Sequence, residues 1–225
     1  MAPDADAVAA RAAGYVAGLA RKAVAEHGRF TFAVSGGHTP WAMFAELASE
    51  DMPWGQTELF QVDERVAPDG DPGRNLTHLH ESIRDAPAIV HPMPVTDSDL
   101  DAAARAYADV LPQQFDLVHL GLGPDGHTAS LVPGDPVLDV SDVLVALTQP
   151  YQGHRRMTLT YPALARTDQL LWLITGDDKR GPMARLLAGD TSIPAGRVRA
   201  GQSLIMADEA AARPARPDRH ALRGA

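Results

Sequence analysis

The chain has 225 residues, 45% of them hydrophobic, with a formal net charge of −9 and no cysteine. That length suits one domain burying roughly 70–75% of its unfolded surface. The negative balance argues against a nucleic-acid or anionic-membrane partner, and the lack of cysteine excludes disulfides, thiol nucleophiles and thiolate metal sites while fitting a reducing, cytoplasmic setting.

Residues 4–27 place Val8, Ala12, Tyr15, Val16, Leu19 and Ala23 at helical spacing, with Gly28 where a C-terminal cap would fall. Asp4, Asp6, Arg11, Arg21 and Lys22 interrupt this segment, so it offers no apolar run for a signal peptide or membrane span. Residues 30–34 read as a strand, followed at once by Ser35-Gly36-Gly37-His38-Thr39-Pro40 and a helix to about residue 48. A glycine loop opening a helix presents free N–H groups and a positive dipole end, which favour a phosphate. An ordinary tight turn fits the same residues, and the spacing matches neither a Walker A loop nor a dinucleotide fingerprint. Residues 57–63 predict a second strand ending in Asp63-Glu64-Arg65, ahead of a Pro/Gly/Asp-rich loop over residues 67–73. Asp69 and Asp71 lack the remaining ligand pattern of a calcium loop, so no metal is expected there.

Asn75 is a candidate cap for a helix whose buried stripe is Leu76, Leu79 and Ile83, and His78 and His80 fall on different faces of it. Residues 89–95 read as an edge strand, because Pro92 and Pro94 would break a central ladder. Ser98 is a candidate cap for a helix burying Leu100, Ala104, Tyr107 and Leu111. The run from residue 115 to 122 is almost continuously apolar, as a central strand of a parallel sheet requires, and His119 within it reads as a core histidine bonded to a neighbour. Further strands are expected over residues 143–148, 156–160, 169–175 and 203–207, with a loop at 151–155. Alternating strands and helices predict an α/β fold with a mostly parallel, doubly wound sheet. Residues 1–207 would form the single domain and residues 208–225, rich in Ala, Arg and Pro, a mobile tail.

After the central strand the chain reads GLGPDGHTASLVPG, residues 121–134. Glycines at a strand's carboxyl end fit either a plain loop or a turn that presents Asp125 and His127 on the side where open α/β sheets bind ligands. This segment resembles the signature of the 6-phosphogluconolactonases, a family related to the glucosamine-6-phosphate isomerases and deaminases. The resemblance implies a modified Rossmann-like fold without a nicotinamide site or any other cofactor or metal, and it makes His127 the catalytic base. It extends over about residues 30–190. Ser35-Gly36-Gly37 with Thr39 resembles the family's phosphate-side loop, in which the His38 position is variable. The Asp-Glu-Arg triplet resembles the family's, implying that Arg65 binds the substrate phosphate. Lys179, in Gly176-Asp177-Asp178-Lys179, resembles a second phosphate ligand, although Gly181-Pro182 interrupts the usual helix start. Arg74 stands where the family commonly has serine and is a weaker candidate beside Arg65. Arg156, in Arg-Met-Thr-Leu-Thr, would either reach the sugar hydroxyls or pair with a carboxylate.

The implied reaction is hydrolysis of 6-phospho-D-glucono-1,5-lactone to 6-phospho-D-gluconate, the second step of the oxidative pentose phosphate pathway. His127 would take a proton from the attacking water and return it to the departing ring oxygen. Asp125 either orients the imidazole or bonds its own loop, and N–H groups of the 121–126 turn are candidates for the oxyanion. One alternative is an amino-sugar phosphate isomerase or deaminase. Its motif usually carries an additional acid, whereas residues 128–133 here read TASLVP. The other is a non-catalytic sugar-phosphate sensor, which would not need His127.

Overall fold

The computed structural model describes residues 1–84 and 86–213. Helix α1 spans Ala5–His27, β1 Phe30–Val34, α2 His38–Leu47, β2 Thr57–Gln61, β3 Asp63–Arg65, α3 Asn75–Ile83, β4 Ile89–His91, α4 Leu100–Val110 and β5 Leu117–Gly121. The second half adds β6 Val145–Leu147, β7 Arg156–Leu159, α5 Tyr161–Leu164, β8 Gln169–Ile174, α6 Arg180–Leu187, β9 Gln202–Ala207 and α7 Glu209–Ala212.

Six strands form one sheet in the order β4-β2-β1-β5-β8-β9, and every pairing in it is parallel. The strands read as unbroken apolar runs because both faces are covered and successive side chains enter opposite layers. Phe30, Phe32 and Val34 of β1 pack with α1, α2 and α3 on one face. Val118 and Leu120 of β5, with Leu170, Trp172 and Ile174 of β8, join α4 on the other. From β1 the chain winds outward through β2 to β4, then returns to β5 and winds the other way through β8 to β9. The ends of β1 and β5 are therefore the switch point of the fold, where diverging loops leave a crevice.

A second sheet, β3-β7-β6, is small and antiparallel, and it packs on the α4 face through Val145, Met157 and Leu159. It was not expected, and it makes the Asp-Glu-Arg triplet a separate strand, where the sequence placed it at the end of the preceding one. The strand expected over residues 89–95 is confined to the edge strand β4.

Two caps differ by one residue from expectation. Asp99, not Ser98, accepts the Ala102 N–H at 2.9 Å. Arg74 occupies the cap of α3, and the Glu64 carboxylate closes that helix from a distance, accepting the N–H groups of Asn75 and Leu76 at 2.8 Å each. The Asn75 side chain is thereby released to donate to the Asp63 carbonyl at 2.9 Å.

The domain does not end at Ala207. Asp208 is buried, caps α7 through the Ala211 N–H at 2.8 Å, and accepts the Gly176 N–H at 3.1 Å. Ala2 pairs alongside it, donating to the Ala207 carbonyl at 2.9 Å. The remainder of the expected tail, residues 214–225, lies outside the described residues.

Candidate active site

A cleft of about 710 Å³ opens at the switch point. Gly36, Gly37, Arg65, His127, Arg156 and Lys179 all line it, although they lie up to 143 residues apart in the chain. Gly36 and Gly37 after β1 and the residues from Gly121 to Pro124 at the end of β5 line one side, and Asp63, Arg65 and Arg156 of the small antiparallel sheet line another.

His127 sits on a tight loop after β5. Gly123 donates to the His127 carbonyl at 2.8 Å, and Gly126 to the Gly123 carbonyl at 3.0 Å. These two N–H groups are satisfied within the turn, so they are not the oxyanion donors the sequence suggested. The imidazole lies across the α-carbon of Gly123 so closely that an added methyl would stand 2.1 Å from His127 Nδ1. Only glycine leaves room for the ring.

Asp125 performs both of the tasks left open for it. Its Oδ1 accepts the His127 backbone N–H at 3.0 Å and lies 2.5 Å from the ring Nδ1. Burial works to raise the Asp125 carboxyl, but the His127 backbone N–H, the charge of the ring and the ring hydrogen bond together hold it below the ordinary carboxylate range. A carboxylate at Nδ1 holds the proton there and leaves Nε2 as the unprotonated nitrogen.

Arg65 and Arg156 face one another directly across the β3–β7 ladder. Like charges in register are normally avoided in a sheet, since their β-carbons lie only about 5 Å apart. Arg65 is anchored by donating to the Gly73 carbonyl. Arg156 is buried, and its Nε and Nη2 have no hydrogen-bond partner among the described residues. Burial lowers its affinity for a proton, the Asp63 charge opposes that effect and the Arg65 charge adds to it. The Asp63 carboxyl is itself raised by burial, against the Ser130 hydroxyl that donates to it and the Arg156 charge. A buried guanidinium with two unused donors beside a second arginine has the donors and the charge to receive an anion.

Lys179 reaches the cleft despite Gly181-Pro182, because a single tight turn over Asp177–Lys179 precedes α6 and Pro182 falls in that helix's first turn. Its Nζ is 2.9 Å from Asp178 Oδ2.

Three expected ligands lie elsewhere. The buried Ser35 hydroxyl donates to the His119 carbonyl at 3.0 Å. Thr39 pairs its hydroxyl with that of Thr175 at 2.7 Å. Arg74 is turned inward, paired with Asp69 and lying 3.5 Å from Glu64, where it secures the loop that carries Pro72 and Gly73. In each case a nearer protein partner has claimed the side chain. His119, as expected, is a core residue, its Nδ1 accepting the Ser35 N–H at 3.3 Å.

Sequence reasoning passed over Trp41, Asn75, Gln152 and His154, which line the cleft, and Tyr151 beside it. The last three belong to the β6–β7 hairpin tip. Gln152 and Gly153 both have positive φ, 50° and 84°, and Tyr151 and His154 exchange backbone hydrogen bonds of 2.9 and 3.2 Å across them. This is the two-residue turn that usually announces itself as Asn-Gly; here the glycine alone was the available signal.

A parallel doubly wound sheet with a cationic cleft and an oriented imidazole at its switch point defines an α/β protein built to take a small anionic ligand at the carboxyl edge of its strands. The chain belongs to the glucosamine-6-phosphate isomerase/6-phosphogluconolactonase family, whose match covers residues 3–206. It is 35% identical over 234 residues to the 6-phosphogluconolactonase of Mycobacterium tuberculosis, a comparison covering 93% of this chain and 95% of that protein. Its fold is similar to the crystal structure of 6-phosphogluconolactonase from Thermotoga maritima, with a TM-score of 0.82 at 28% identity, covering 89% of this chain and 95% of that one. It is also 40% identical over 176 residues to the human GDH/6PGL endoplasmic bifunctional protein, covering 71% of this chain. The chain spans 22% of the length of that larger protein.

Proposed function

We propose that this protein is a 6-phosphogluconolactonase, opening 6-phospho-D-glucono-1,5-lactone to 6-phospho-D-gluconate in the oxidative pentose phosphate pathway. The observation that carries the reading is one cleft in which an imidazole held by a carboxylate shares the space with an unpartnered buried guanidinium.

In the reaction, His127 Nε2 accepts a proton from water as the water oxygen bonds to the lactone carbonyl carbon. Charge develops on the carbonyl oxygen, and the two free donors of Arg156 meet it. As the tetrahedral species collapses, the bond from carbon to ring oxygen breaks and His127 returns the proton to that oxygen. The product is a hydroxy acid that ionises in water. Asp125 stabilises the imidazolium between these steps. Arg65, Lys179 and the Gly36-Gly37 loop at the amino end of α2 take the phosphate, fixing the reacting carbon by a remote contact. A sensor of the same ligand would have no use for a base held at 2.5 Å by its carboxylate. The substrate is a small molecule, and among the described residues no helix is long and apolar enough to cross a membrane.

The test is the hydrolysis of freshly generated lactone with its spontaneous background subtracted. The native chain should accelerate it and His127→Ala should lose about 10²–10⁴-fold of that acceleration. A properly folded His127→Ala variant with the native rate would sink the assignment of the base. A native chain without acceleration would sink the lactonase itself.

A further inference from the structure

Tyr151 stands at the meeting point of the groups to which the reaction is assigned, on a hairpin tip with no strand or helix face to explain it. Its hydroxyl lies 3.4 Å from Asp125 Oδ2, the carboxylate oxygen that His127 does not use. The ring meets the His127 ring edge-to-face, with centroids 5.7 Å apart. The Arg156 guanidinium carbon lies 5.2 Å from the centre of that same ring. The Gln152 amide donates to the tyrosine oxygen at 3.4 Å, from within the tight turn.

We propose that Tyr151 is a positioning residue for both halves of the catalytic centre, its hydroxyl fixing the Asp125 carboxylate that orients His127 and its ring holding the Arg156 guanidinium. The inference rests on the lactonase reading for the roles of His127 and Arg156.

The physical case concerns rotation. The His127 backbone N–H and ring both meet Oδ1, so with Oδ2 unheld the carboxylate can still turn about its own axis, and each turn breaks the bond to His127 Nδ1. Occupying Oδ2 with a donor removes that freedom, and an imidazole held in one tautomer keeps Nε2 unprotonated. The ring has a separate task. Among the described residues Arg156 has no hydrogen-bond partner on Nε and Nη2, so no polar group there holds these two nitrogens before the substrate arrives. The face of an aromatic ring attracts a guanidinium without consuming its N–H donors, which leaves them for the ligand. The two tasks are separable by substitution, since phenylalanine keeps the ring and removes the hydroxyl. Burial and the nearby Asp125 charge both keep the Tyr151 phenol protonated, hence a donor.

The experiment compares Tyr151→Phe and Tyr151→Ala in the native chain, and Tyr151→Phe again in an Asp125→Ala background, by lactone kinetics and by nitrogen-15 spectra of the His127 ring. Tyr151→Phe should lower kcat about 3- to 10-fold at unchanged KM, the size expected of one hydrogen bond. Without Asp125 the same substitution should change nothing further, because the hydroxyl then has no carboxylate to hold. Tyr151→Ala should lower kcat further, because the guanidinium whose donors meet the developing oxyanion is then no longer held. In the spectra, the native ring should show a single tautomer protonated at Nδ1, and Tyr151→Phe should show a mixture. Unchanged spectra and kcat in Tyr151→Phe would overturn the proposal, as would an equal loss with and without Asp125. Should the native chain fail to hydrolyse lactone while the tautomer still responds to Tyr151→Phe, the lactonase reading falls and the hydroxyl's hold on the carboxylate stands.

Discussion

Gly123 and His119 show how single residues set the cleft from below. The space above the Gly123 α-carbon is filled by the His127 ring, so Gly123→Ala must push the imidazole away from Asp125. The expected result is a loss of activity within tenfold of that for His127→Ala, with the thermal transition retained, measured by lactone hydrolysis beside near-ultraviolet circular dichroism. His119 is buried under the glycine loop with no partner for Nε2 among the described residues, and burial lowers its pKa to about 3. An unfolded histidine titrates near 6.5, so between these values the unfolded chain binds the extra proton. The stability contributed by the neutral ring is complete above about pH 6.5 and is lost as the pH falls toward 3, by about 1.4 kcal/mol per unit. Urea unfolding at pH 7.5 and pH 5 should show the native chain losing more stability on acidification than His119→Leu. Equal losses would mean that His119 finds a proton acceptor in the folded state.

Between elements, the organising group is Glu64. It is fully buried and accepts from Gln61, Arg65, Asn75 and Leu76, and by doing so it ties β2, β3 and the start of α3 into one unit beneath Arg65. Removing it strands four donors and the inward-facing Arg74, so Glu64→Ala should cost about 3–5 kcal/mol in urea unfolding. The central strands were legible because a strand covered on both faces must be apolar throughout. The second sheet was not, because β3 is the three charged residues Asp63–Arg65 and its pairing with β7 depends on groups far away in the chain. The same reason accounts for the site. His127, Arg65 and Lys179 could be located from local motifs, and the cleft brings them together. Ser35, Thr39 and Arg74 have the right chemistry in the right stretch, but His119, Thr175, Asp69 and Glu64 reach them first. Tyr151 carried no periodic signal, and its importance appears only when the hairpin folds over the loop after β5.

For the molecule as a whole, Ala2 and the segment Ala207–Asp208 meet at the edge of the large sheet, and through them the Lys179 side of the cleft is braced. Asp208 holds the Gly176 N–H at the start of the turn that delivers Lys179. Ending the chain after Ala207 should therefore raise KM for the lactone and lower the melting temperature relative to a chain ending after Arg213, both measured on purified protein. Equal KM values would separate the chain end from the cleft. The opposed arginines lead further. A formal net charge of −9 repels any anion at long range, while Arg65 and Arg156 sit in register within the cleft and draw one in. Ring opening does not relieve that local attraction but strengthens it, because the product bears a carboxylate that the lactone lacks. A pocket so charged should hold the acid more firmly than the lactone, so added 6-phosphogluconate is expected to inhibit lactone hydrolysis, read as a rise in apparent KM.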